Sequence, residues 1–315
     1  MTEPLLRRLA ARGEQLTVGA LPWVAPAYRA MPQVGSVIEL PFRHGGLQWR
    51  ARRALARQLR GRFDHAYVLP NSLKSALLPW LAAIPRRVGY HGEGRFGLLN
   101  ERLPNPHGRP PMVAFYSALA GEPGVEQDRP RLQLPAAQVE AVQQQHGLVP
   151  GGYVVLAPGA EYGPAKRWPH FGGLAALLDC PVVLLGSAKE APLCEAIRLQ
   201  APAQCRNLAG QTSLVEAFAL IAGAGHVVSN DSGLMHVAAG FGVPQVALFG
   251  SSSPLHTPPL NARAQVVWLK QDPQYLPPLD CSPCFQRECP LGHFRCLDDV
   301  TPDRVRALLG GGAAP

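Results

Sequence analysis

The sequence predicts an α/β protein built from two successive Rossmann-type units, each a parallel sheet wound with helices. Short apolar runs rich in β-branched residues alternate with segments of helical periodicity along the chain. The alternation breaks at His146-Gly147-Leu148-Val149-Pro150-Gly151-Gly152 and then restarts. Polar turns follow several strands at their carboxyl ends, where open α/β sheets bind ligands. The units are therefore expected at 1–150 and 151–315, each large enough to bury its own core.

Thr2 can cap a first helix that has Pro4 in its opening turn, Leu5, Leu6 and Leu9 as its apolar stripe, and Gly13 as its stop. Strands are expected at 16–20, 34–40 and 65–69, with a short helix at 25–31 and a longer one at 45–62. The longer helix carries Arg50, Arg52, Arg53, Arg57 and Arg60, which reads as a solvated face. Pro70-Asn71-Ser72 is a polar turn leading into a helix that begins Leu73-Lys74-Ser75, and the basic, glycine-rich residues 86–97 are expected to form a loop. Helices at 112–120 and 136–145 complete the first half. The second half has strands near 153–156, 181–185, 227–229, 245–249 and 265–269, and helices near 170–178, 189–199, 213–223 and 233–240.

A hydrophobic content of 47% and a charged content of 17% describe a globular protein. No apolar run approaches the ~18 residues that span a bilayer, and the first residues lack the order of a signal peptide, so a cytoplasmic location is expected. The net charge is +8, and its arginine excess sits in the first half. Such charge suits nucleic acid, acidic lipid surfaces or phosphorylated substrates. Seven cysteines without an export signal argue against a disulfide framework. Four of them, Cys281, Cys284, Cys289 and Cys296, form C-x2-C-x4-C-x6-C around His293. That spacing is compact enough for zinc or an iron–sulfur cluster, although it is no standard zinc finger. A redox-labile thiol pair and buried structural cysteines are the alternatives.

Three turns of the second half carry chemistry. Ser229-Asn230-Asp231-Ser232-Gly233-Leu234-Met235-His236 reads as strand, tight turn and helix, which points free N–H groups and a small residue at an anion, with His236 one helical turn beyond Ser232. An ordinary helix N-cap at Asp231 or Ser232 is the plain alternative. Pro158-Gly159-Ala160-Glu161-Tyr162-Gly163-Pro164-Ala165-Lys166-Arg167-Trp168-Pro169 forms a wide glycine-bearing loop with a lysine near its end, suited to a pyrophosphate. Neither G-x-G-x-x-G nor G-K-[ST] occurs in these turns. In Gly186-Ser187-Ala188-Lys189-Glu190 the carboxylate is a candidate for ribose hydroxyls. Together they suit a nucleotide diphosphate donor.

These two longer segments, with Asn71-Ser72-Leu73-Lys74-Ser75-Ala76-Leu77, resemble those of the ADP-heptose:lipopolysaccharide heptosyltransferases of glycosyltransferase family 9, in particular the type II enzymes. The likeness runs from about Thr2 to the last helix, and it implies the GT-B architecture of two Rossmann-like domains facing across a cleft. It implies inverting transfer of L-glycero-D-manno-heptose from ADP-heptose to the first heptose of the inner core, with no required metal or other cofactor. Lys166, Glu190, Asp231, Ser232, Gly233 and His236 would then bind the donor. Asn71, Lys74 and Arg95 would bind an acidic heptosyl-Kdo2-lipid A acceptor at the inner face of the inner membrane. The alternatives are a type I or other family 9 transferase, a GT-B sugar-nucleotide epimerase, and a basic nucleic-acid-binding protein. The last has no recognised module or aromatic stacking platform here.

Family members begin with a strand and a Gly-x-x-Trp-x-Gly-Asp turn whose aspartate is the general base. In the resemblance that turn precedes Met1, so the first strand and the catalytic aspartate are expected roughly 20 residues upstream, in a gene whose start was assigned too late. A truncated, inactive product is the rival expectation. Asp64 and Asp231 are already explained by a strand entry and the donor site.

Overall fold

The computed structural model describes residues 1–43, 45–121 and 128–310. Every pair among its eleven described strands is parallel. The chain divides into two units. One holds Met1–Arg29 and Gln33–Asp128; the other holds Ala30–Pro32 and the chain from Arg129 onward. The division thus falls near Asp128 rather than at 150. The helix Ala136–Gln145 lies on the helix Leu214–Ala222, and Val142 and Leu148 join Tyr153, Leu220 and Val227 in one core. Gln133 N–H donates to Ala30 O at 2.7 Å, which ties the short 30–32 segment to the second unit.

In the first unit β1 (Leu16–Ala20) pairs with β2 (Val34–Glu39), and β3 (His65–Val68), β4 (Arg86–Tyr90) and β5 (Glu101–Leu103) form a separate sheet. The opening helix Glu3–Ala11 buries Leu5, Leu6 and Leu9 as its periodicity requires, although the Thr2 side chain makes no capping bond. Residues 86–90, expected in a loop, are instead a strand with Val88 and Tyr90 buried. Its arginines concealed it. Arg86 is held by Glu101 at 2.7 Å, and Arg87 Nε donates to Leu98 O at 2.7 Å, so charge at this strand's edge is spent on neighbouring chain.

The second unit is a single six-stranded sheet. Its strands are β6 (Val154–Ala157), β7 (Val182–Leu184), β8 (Cys205–Asn207), β9 (His226–Asn230), β10 (Gln245–Leu248) and β11 (Ala264–Val267), in the order β11-β10-β9-β6-β7-β8. All four residues of β6 and all three of β7 are buried. Helices on both faces demand such continuous apolar strands, and they explain why no polar alternation marks them in the sequence. Read from β8, the order is third, second, first, fourth, fifth, sixth, the doubly wound order of dinucleotide folds. The direction of winding reverses between β6 and β9. Ligands of such sheets bind beyond the carboxyl ends of the strands at that reversal.

Candidate functional site

At the reversal point the segments after β6 and at the end of β9 are locked together by Asn230. Its side chain is fully buried, donates from Nδ2 to Pro158 O at 2.7 Å and accepts at Oδ1 from Trp168 N at 3.0 Å. An amide with both ends satisfied inside the protein fixes the loops it joins. Trp168 Nε1 in turn donates to Val300 O at 2.8 Å. The loop between these anchors, residues 158–168, is therefore fixed at its start and its end.

Lys166 lies near the end of that loop, in the turn Pro164–Lys166, and its Nζ is 2.5 Å from Asp231 Oδ2. The Asp231 side chain is 6% exposed and the Lys166 side chain 18%. Asp231 Oδ1 accepts from Thr257 Oγ1 at 3.2 Å. The pair joins the loop after β6 to the turn after β9, 65 residues apart. The carboxylate orients the ammonium while leaving it partly open to solvent.

Ser232 stands at the N-cap of the helix Gly233–Phe241 but makes no side-chain capping bond, and Asp231 is engaged by Lys166 and Thr257. The plain N-cap alternative is therefore not what the side chains do. A Cβ built on Gly233 would meet nothing within 4 Å. Gly233 faces open space in front of a helix N-terminus, where N–H groups attract anions. His236 lies on that helix. Burial pushes its pKa down to about 4, with Asp231 pulling the other way and Lys166 adding to the depression, so the imidazole is neutral at neutral pH.

That depression sets a pH dependence. A neutral His236 contributes full stability above its unfolded pKa of about 6.5, and this is lost as pH falls toward the folded value. His236→Gln should flatten the fall in denaturation midpoint between pH 6.5 and 4. An unchanged pH profile would remove this role.

Glu190 is brought to the same rim. Its Oε2 accepts from Ser187 N at 2.7 Å and from Ser187 Oγ at 2.9 Å, closing a turn at the N-terminus of the helix Ala191–Arg198. A Cβ on Gly159 would lie 1.8 Å from Glu190 Oε1, so the absence of a side chain at Gly159 is what admits this carboxylate beside the loop after β6. Donor candidates from the ends of β6, β7 and β9 thus share one rim.

The first-unit candidates behave differently. Asn71 is exposed and Lys74 half-buried, and Lys74 has no ion pair among the described residues. Arg95 departs from expectation. It is 1% exposed and donates to Pro70 O at 2.7 Å, to Asn71 Oδ1 at 3.2 Å and to Tyr90 O. It is a staple for the turn bearing Asn71 rather than a surface contact. The glycines around it hid this burial in the sequence.

Cys281, Cys284, Cys289, Cys296 and His293 line one cavity, with Cys281 Sγ 3.9 Å from His293 Nε2. Yet among the described residues no group of three or more His, Cys, Asp or Glu is arranged to hold a metal. Burial, and then the neighbouring sulfurs, push the Cys296 thiol up to about 12, which keeps it protonated. Burial raises Cys289, but backbone N–H groups of Phe294, Leu291, His293 and Gly292 pull it below its usual value and occupy its sulfur. The sulfurs of Cys281, Cys284 and Cys289 all act on Cys296, so the four thiols lie close together beside His293.

One contributor had no signal in the sequence. Arg287, in the loop carrying these cysteines, accepts Ala165 N at its carbonyl (3.1 Å) and donates from Nε to Tyr162 O at 2.7 Å. Tyr162 Oη donates to Phe285 O at 2.6 Å, and the Tyr162 ring centroid lies 5.2 Å from Lys166 Nζ. The cysteine loop clamps the lysine loop from behind.

Residues 52–295 match Glycosyltransferase family 9 (heptosyltransferase). The chain belongs to glycosyltransferase family 9. It is 42% identical to lipopolysaccharide heptosyltransferase 2 of Escherichia coli K12, over 97% of this chain and 92% of that protein. It is 43% identical to lipooligosaccharide heptosyltransferase 2 of Haemophilus influenzae Rd, over 91% and 87%. Among solved structures, that of E. coli ADP-heptose lps heptosyltransferase II aligns with a TM-score of 0.82 and 39% identity, covering 98% of this chain and 94% of that one. The chain is a glycosyltransferase of the GT-B fold. Family membership decides against the nucleic-acid reading of its basic charge.

Proposed function

We propose that this transferase moves L-glycero-D-manno-heptose from ADP-heptose to the first heptose of the lipopolysaccharide inner core, with inversion at the anomeric carbon. The Lys166–Asp231 pair at the reversal point of the second sheet, beside the open Gly233, carries the reading. As the glycosidic bond breaks, negative charge grows on the diphosphate leaving group. A preorganised lysine and a helix N-terminus aimed at that charge stabilise the transition state more than the ground state. Glu190 is placed for ribose hydroxyls, and Ser232 and Gly233 for a phosphate. Asn71 and Lys74 are the acceptor-side groups, facing the phosphate and Kdo carboxylates of a heptosyl-Kdo2-lipid A. No described helix is long and apolar enough to cross a membrane, and we assign the enzyme to the cytoplasmic face of the inner membrane as a peripheral protein.

The test is ADP release from ADP-heptose with defined acceptors. Turnover is expected with Kdo2-lipid A that already bears its first heptose. Equal turnover with Kdo2-lipid A lacking that heptose would replace this reading with a type I transferase, and donor conversion without any acceptor would point to an epimerase.

A further inference from the structure

Between Glu39 and Asp64 the chain carries seven arginines and no carboxylate. That local excess approaches the net charge of the entire protein, +8. The helix Trp49–Leu59 sorts these charges by face. Arg52, Ala56 and Leu59 are buried. Arg50, Arg53, Arg57 and the C-cap residue Arg60 follow in steps of three, four and three, which places them on one stripe, about 15 Å long at 1.5 Å per residue. All four are exposed, and none has an ion pair among the described residues. Elsewhere on the surface Arg29, Arg86, Arg198 and Arg304 each hold a carboxylate. The stripe is charge left without an internal partner.

One end of the stripe is apolar. Leu47 is 49% and Trp49 40% exposed. The Leu47 backbone is held by the buried Arg52, whose Nε donates to Leu47 O at 2.7 Å and whose guanidinium sits 4.1 Å from the centroid of the Phe42 ring. The buried guanidinium thus fixes the backbone at Leu47, where the exposed Leu47 and Trp49 side chains stand beside the arginine stripe. A row of guanidinium groups ending in a fixed tryptophan and leucine matches the interface of an acidic bilayer, where phosphates lie at the surface and indole rings settle at the headgroup level.

We propose that this face docks on the surface of an anionic phospholipid bilayer. The inference rests on the reading that the acceptor is a membrane lipid, and it assigns the surface that holds the enzyme beside it. A polyanion such as RNA would use the arginines but leaves Leu47 without a role.

The experiment is co-sedimentation of the full chain with vesicles of phosphatidylglycerol and phosphatidylcholine, or phosphatidylcholine alone, without donor or acceptor. Binding is expected only to the anionic vesicles, and it should weaken as salt rises. The combined Arg50→Ala, Arg53→Ala, Arg57→Ala and Arg60→Ala variant should bind at least about 50-fold more weakly, from roughly 1 kcal/mol per basic residue near such a surface. Trp49→Ala alone should cost several-fold at every salt concentration. Turnover on a deacylated, water-soluble acceptor should be retained in the fourfold variant, which also serves as the check on its fold.

Failure of the wild-type chain to bind anionic vesicles overturns the proposal, as does a fourfold variant that binds like wild type. Loss of turnover on the soluble acceptor also overturns it, since the stripe would then belong to the acceptor site. Capture by random RNA that vesicles cannot compete away replaces the bilayer with nucleic acid. A chain that binds vesicles but transfers no heptose overturns the transfer reading and leaves the docking surface standing.

Discussion

Lys166→Met should lower kcat/KM for the ADP-sugar by about a thousandfold, roughly 4 kcal/mol of transition-state stabilisation at 1.36 kcal/mol per tenfold. The substitution removes the one ammonium paired with Asp231 at the rim and leaves that carboxylate buried against Thr257 Oγ1 alone. An uncompensated buried charge costs folding stability too, on the order of 3 kcal/mol. The two effects separate by a cycle with Asp231→Asn. The double variant should regain much of the lost stability, because no unpaired charge remains, but none of the lost turnover. Steady-state kinetics and denaturant melts on the four proteins read both. A kcat/KM within tenfold of wild type would remove Lys166 from the diphosphate.

Gly163→Ala should destabilise the lysine loop strongly despite adding only a methyl group. Gly163 has φ +148°, and a Cβ there would stand 2.4 Å from the carbonyl oxygen of Arg287. The obstacle is backbone that itself accepts Ala165 N, so it cannot swing aside. Strain of this kind costs about 2–4 kcal/mol. Gly233→Ala is the contrasting case. With no atom within 4 Å of the built Cβ and no positive φ, it should fold as wild type but bind ADP at least about tenfold more weakly, by standing where a phosphate approaches. Thermal melts and ADP titrations compare the two. A Gly163→Ala protein that melts with wild type would show that the clamp yields.

The second unit was legible because its strands are buried on both faces and its turns are chemically unusual. Lys166, Asp231 and Gly233 stand out in any reading that looks for anion sites after strands. The first unit was harder. Arg86 and Arg87 disguise β4 as a loop, since a sequence does not reveal that Glu101 and the Leu98 carbonyl absorb their charge. β5, and β8 of the second unit, carry charged and polar residues, Glu101-Arg102 and Arg206-Asn207, so unlike the equally short β7 they show no apolar run. Arg95 was misplaced for the opposite reason: an arginine among glycines looks exposed, and only the converging carbonyls of Pro70 and Tyr90 make its burial affordable. Arg287 was invisible because its contacts to Tyr162 and Ala165 span more than a hundred positions. The spacing of the four cysteines gave their proximity around one cavity, but a sequence does not give the direction of each sulfur.

The helix Gly233–Phe241 begins without a side-chain cap, although a serine occupies the capping position. In most helices that serine would satisfy the first amides and close the end to outside anions. Here, as at Ser72 before the helix Leu73–Leu81, the serine leaves the first amides to an outside acceptor. Under the proposed function, a donor phosphate docking at Gly233 completes secondary structure as well as filling a site, which makes recognition of the donor and the last increment of folding one event.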